Sequence, residues 1–163
     1  MTQLNAYLGI ISLLLAGCAA SPQFDSTNVN KALTPAQAVT IINAVRGSRV
    51  LWGGIIVSAT NLAGKTRFEI LSYPLTLSQR PDVGAAPQGR FLAIKDGYVE
   101  TLDYAPGKPV TLKGALTETR DGLIGESAYV YPVIEVESLY LWTQSSAVTK
   151  PRVNFGLGII LNN

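Results

Sequence analysis

Cys18 is the single cysteine of the chain and the side chain with the widest chemistry open to it. A thiolate is a strong nucleophile, and a lone one cannot close an intrachain disulfide, so a covalent substituent or an intermolecular bond is what it can form. Histidine is absent. Its absence removes the commonest general base, the commonest zinc ligand and the ordinary pH switch together. The sequence holds no G-x-S-x-G elbow, no phosphate-binding loop and no metal-ligand spacing, so no catalytic residue, metal or dissociable cofactor is assigned.

Three further groups have side chains able to do chemistry, and each has a plainer reading beside it. Arg67, Glu69 and Arg90 would form a charged cross-strand cluster that could hold a carboxylate or phosphate; solvated pairing on a sheet exterior explains them more simply. Trp52, Trp142, Tyr98, Tyr104, Tyr129, Tyr131 and Tyr140 are an aromatic set of the kind that stacks sugars or bases, although strands are rich in aromatics for packing alone. Trp52, beside two glycines, is the foremost ligand-contact candidate, with Arg67 and Arg90 as its charged companions. Asp96, Glu100, Asp103 and Glu126 include potential hydrolase pairs, but turn chemistry accounts for the aspartates equally well.

The elements that position Cys18 lie before it. Residues 7–17, YLGIISLLLAG, are an uncharged apolar run of eleven, the length of a secretory signal core and too short for a spanning helix, which needs about twenty residues. The run closes in Leu15-Ala16-Gly17-Cys18, which resembles the lipobox of bacterial lipoproteins: small residues admit the signal peptidase, and the sulfur accepts a diacylglyceryl group. Cleavage is therefore expected between Gly17 and Cys18, with Cys18 as the lipidated, palmitate-bearing N-terminus. Residues 1–17 contain no Lys or Arg, so the positive flank of the signal comes only from the terminal amine. Ala19 stands where an aspartate would mark inner-membrane retention, and resemblance to that sorting rule implies the outer membrane, facing the periplasm.

With 163 residues, the chain has room for one domain. Thirteen basic residues against eleven acidic ones leave a formal charge of +2 without a cluster, so nucleic acid is not an expected partner. Residues 18–33 are polar and small and read as a flexible tether. Thr34-Pro35-Ala36-Gln37 is a capped helix start, giving a short helix over about 35–45 that ends before Gly47. Strands are expected over 49–59, 65–73, 90–95, 109–118 and 129–142, with Asn61-Leu62-Ala63-Gly64 as a hairpin turn. Phe68, Ile70 and Ser72 fall on one face of the second strand, and Arg67, Glu69 and Leu71 on the other. Gly53-Gly54 in mid-strand signals a bulge or sharp bend. Asp121-Gly122 reads as part of the link between the last two strands. The fold expected is mainly β: a small five-stranded antiparallel OB-like barrel over 34–142. Residues 143–163 form a tail in which 153–161, VNFGLGIIL, reads as an edge strand, a packing segment or an interface.

Several stretches, taken in order, resemble the Slp-type outer-membrane lipoproteins of Gram-negative bacteria. They are Val50-Leu51-Trp52-Gly53-Gly54-Ile55-Ile56, Glu69-Ile70-Leu71-Ser72-Tyr73-Pro74-Leu75, Gly89-Arg90-Phe91-Leu92-Ala93, Tyr104-Ala105-Pro106-Gly107-Lys108 and Gly125-Glu126 leading to Tyr131-Pro132-Val133. The resemblance implies an outer-membrane lipoprotein of the cell envelope, linked to stress or starvation, with no established enzymatic activity, and the chain is not expected to be an enzyme. Its partners would be the membrane, through the lipid, and other envelope proteins or glycans. A periplasm-facing barrel that binds an oligosaccharide, peptide or lipid fragment is the alternative.

Overall fold

The computed structural model describes residues 24–142. Cys18, the signal segment and the glycine-rich tail lie outside them.

The first described residues are packed on the domain, where a loose tether was expected. Val29 bridges to Arg49, Asn30 N donates to Arg49 O at 2.9 Å, and Leu33 is buried. Docked chain of this kind has its polar backbone satisfied by protein, which a solvated tether does not need. The helix starts where its signals place it. Thr34 caps α1 (Pro35–Thr40) through a complete capping box with Gln37. The single helix expected over 35–45 is divided, however, because Ile41 sits at φ −123° between α1 and α2 (Ile42–Val45). The β-branched run Val39-Thr40-Ile41-Ile42 disfavours continuous helix there.

Five strands follow: β1 (Arg49–Leu62), β2 (Lys65–Tyr73), β3 (Arg90–Asp96), β4 (Pro109–Ile124) and β5 (Ser127–Leu141). They close into a barrel in the order β1-β2-β3-β5-β4. Four of the seams are antiparallel. The fifth, which closes the barrel, pairs β3 with β5 in parallel from Leu92↔Val133 to Ile94↔Glu135. Val50, Trp52, Ile56, Phe68, Ile70, Phe91, Val110, Leu112, Leu116 and Ile134 fill the interior. Burying side chains of this size contributes about 1.5–3 kcal/mol each, the main force closing the sheet.

Two glycine readings shift. The register runs unbroken through Gly53 and Gly54, and the slip comes beyond them, at Val57 between Ile56↔Ile70 and Ser58↔Glu69. The glycines instead admit close neighbours. A Cβ on Gly54 would run into the Leu71 carbonyl, and one on Gly53 would lie 2.6 Å from the Leu75 side chain. Similarly, Asp121-Gly122 lies within β4, opposite Val130 and Tyr129, and the true turn comes at Gly125. Gly122 leaves room for the Tyr131 ring, which an added Cβ would meet at 2.9 Å.

Candidate functional site

The connection from β2 to β3 folds back over one end of the barrel and organises it. Leu75 bridges to Pro81, Thr76 N donates to Arg80 O at 2.9 Å, and Gln79 N donates to Thr76 O at 2.9 Å. Gln79 adopts φ +62°, a left-handed conformation that costs a non-glycine residue about 1–2 kcal/mol and persists because its neighbours hold it. Its side chain clamps the start of the described chain: Phe24 N donates to Gln79 Oε1 at 2.6 Å, and Gln79 Nε2 donates to Phe24 O at 3.0 Å. Its carbonyl accepts from Thr111 Oγ1 at 2.7 Å, and that hydroxyl accepts from Trp142 Nε1 at 2.9 Å. Arg80 lies 5.6 Å from the centre of the Trp142 ring. Both ends of the described chain therefore converge on one turn.

A cleft of about 440 Å³ opens beside this turn, with Lys31, Leu33, Trp52, Tyr73, Leu75 and Leu77 in its wall. Trp52 forms its floor and is not an exposed stacking surface. The ring is buried edge-on against Phe91 at 5.1 Å, and its Nε1 donates to Leu33 O at 2.7 Å. Leu77, at the apex of the turn, is fully exposed.

The charged residues lie elsewhere. Arg90 Nη1 meets Glu69 Oε1 at 2.7 Å, with only 26% and 20% of the two side chains exposed. Tyr131 donates its hydroxyl toward Glu69 Oε1 at 3.2 Å and Leu123 O at 3.1 Å, and Arg90 N donates to Tyr129 Oη at 2.8 Å. Arg90 is thus neutralised inside a network rather than poised for an anion. Burial, followed by the Glu69 charge, pushes the Tyr131 phenol up from its ordinary value. Arg67 stands opposite Thr60 and Ile94, apart from the cleft, so the structure does not bring Trp52, Arg67 and Arg90 together. Of the acidic candidates, Glu100 and Asp103 share one turn, in which Asp103 N donates to Glu100 O at 3.0 Å. Asp96 faces Lys65 at 3.6 Å, and no group of three metal-ligating side chains occurs among the described residues.

Gln79 and Thr111 are the residues that sequence reasoning missed. A polar residue in a proline-flanked loop and a threonine on a strand carry no signal of a shared contact until the fold brings them together.

The outer membrane lipoprotein Slp family matches residues 15–157. The chain belongs to this family. The match is wider than the stretches quoted from the sequence and takes in Leu15-Ala16-Gly17-Cys18 at one end and part of the tail at the other. Among its relatives, the chain is similar to the uncharacterized lipoprotein YeaY of Escherichia coli K12, with 31% identity over 88% of this chain and 74% of that protein. It is also similar to the outer membrane protein Slp of the same organism, with 27% identity over 81% of this chain and 71% of that one. This member of the Slp family is therefore an envelope lipoprotein, associated with the outer membrane. A small single-stranded DNA-binding protein from Streptomyces coelicolor aligns with 58% of the chain and 94% of its own length, at 17% identity and a TM-score of 0.38. So low a score supports no argument. The barrel assignment for this Slp-family chain rests on its own strand pairing.

Proposed function

We propose that the chain is exported, cleaved between Gly17 and Cys18, and anchored in the outer membrane by acyl chains carried on Cys18, with the barrel facing the periplasm. There it serves as a structural or interaction component of the envelope, in the stress or starvation response. The observation that carries the reading is that the family match begins at Leu15, so the lipobox-like tetrapeptide belongs to the matched region. Each buried methylene contributes about 0.8 kcal/mol, so two or more acyl chains hold a domain on a bilayer durably. No described helix is long and apolar enough to cross a membrane. Metabolic labelling with palmitate tests the proposal: the wild type incorporates label and Cys18→Ala does not, and equal incorporation would refute it.

The cleft favours a second reading. Its wall combines Leu33, Leu75 and Leu77 with Lys31 and Gln88, the mixture of apolar surface and a few polar groups that suits an oligosaccharide, peptide or lipid fragment. Thermal denaturation of the protein with and without peptidoglycan fragments checks it, a raised midpoint supporting binding.

A further inference from the structure

We infer that the end of the barrel built around Gln79 faces the bilayer, with Leu77 seated at the lipid headgroup boundary. The inference rests on the proposed anchoring at Cys18 and adds the orientation that the anchor imposes. The first support is covalent geometry. Phe24 is clamped to Gln79 by two hydrogen bonds of 2.6 and 3.0 Å, and Cys18 is only six residues before it. Six residues reach at most about 22 Å even when fully extended, so Phe24, clamped to the turn at Gln79, stays within that distance of the lipid-bearing residue.

The second support is what this end of the barrel presents. Leu77 lies two residues from Gln79 and is the most exposed large apolar side chain among the described residues, at 102% of its reference area. It is held outward by a stitched turn: Thr76 N to Arg80 O, Gln79 N to Thr76 O, and the Thr76 and Ser78 hydroxyls 2.9 Å apart. Val83, farther along the same connection, is 58% exposed. A single exposed leucine needs no explanation by itself. One fixed at the apex of a turn tied to a short lipid leash has an apolar medium within reach. The described chain also ends at this pole, at Trp142, and the sequence beyond it contains the apolar run 153–161.

The opposite end supplies the control. Ala63, in the exposed β1–β2 turn, follows Leu62, which lies nine residues along β1 from Gly53, the neighbour of Leu75. At strand spacing that is about 30 Å.

The experiment uses the full lipidated protein in vesicles of phosphatidylethanolamine and phosphatidylglycerol that carry a spin-labelled phospholipid. Leu77→Cys and Ala63→Cys are each labelled with an environment-sensitive fluorophore. A lipidated Cys18 has its sulfur in a thioether, so the introduced cysteine is the only reactive thiol, and the intact mass reports one fluorophore plus the acyl chains. Spin-labelled lipid is expected to quench the probe at 77 about twofold or more beyond the probe at 63, as for a side chain at the headgroup boundary. Equal quenching at both positions in protein of the correct lipidated mass overturns the orientation and leaves the anchor standing. A probe at 77 shielded from aqueous iodide yet unreached by the lipid quencher also overturns it, because a second copy or the chain's own tail then covers Leu77. A mass showing no acyl chains and two fluorophores overturns the anchor and the orientation together.

Discussion

The Trp142 indole N–H donates to the Thr111 hydroxyl across 2.9 Å, and that hydroxyl in turn donates to Gln79 O at 2.7 Å. One buried side chain thereby ties the end of β5 to the loop that clamps Phe24. Thr111→Val keeps the shape and removes both bonds, leaving a buried donor and a carbonyl unpaired. The expected loss is about 2–4 kcal/mol, with a far smaller one for Thr111→Ser. Urea unfolding of the two purified variants measures it, and a Val variant as stable as Ser would show that the chain of bonds does not matter.

Trp52 is the corresponding link for the segment before the helix. Trp52→Phe retains an aromatic ring beside Phe91 but loses the 2.7 Å bond to Leu33 O. Stability is expected to fall by about 1–3 kcal/mol. Residues 24–33 should then exchange amide protons faster than the barrel strands, as hydrogen exchange read by mass spectrometry will show.

The glycines separate steric need from conformational need. Gly54→Ala places a methyl against the Leu71 carbonyl, between two strands that cannot part without breaking the ladder. A loss of about 3 kcal/mol or more, or no folded protein, is expected. Gly64→Ala meets nothing within 4 Å and carries only the strain of φ +72°, costing about 1 kcal/mol. Circular dichroism melts of the pair check the order.

Tyr131 makes the stability depend on alkaline pH. Its folded-state pKa is raised above the ordinary 10.0, first by burial and then by the Glu69 charge. The neutral phenol is thus favoured in the fold, and its contribution is complete below about pH 10. As pH rises past that value the unfolded chain sheds the proton first, so stability declines until the folded phenol titrates too. Tyr131→Phe should have a shallower decline from about pH 10 upward, seen in unfolding midpoints across that range. A parallel decline in both proteins would contradict the assignment.

The parts of this fold legible in the sequence were those dictated by local chemistry. Thr34, Pro35 and Gln37 marked the helix start, and the alternation at Phe68, Ile70 and Ser72 marked the buried face of β2. Misreadings came where a residue answers to a distant neighbour. Gly122 looked like a turn because glycine usually signals one, yet it makes space for Tyr131 nine residues later in the chain. The parallel β3–β5 seam has no local signature, because closure of a barrel depends on the order of all five strands. The pole around Gln79 was invisible for the same reason: its contacts join residues 24, 79, 111 and 142. Arg67 and Arg90 share a sheet but not a site, since Glu69 takes up the charge of Arg90 alone.

The intact mass of the natural protein, extracted from purified outer membranes, bears most directly on the whole account. A chain beginning at Cys18 with acyl chains attached is the result expected. A chain still beginning at Met1, with an unmodified thiol, would contradict it.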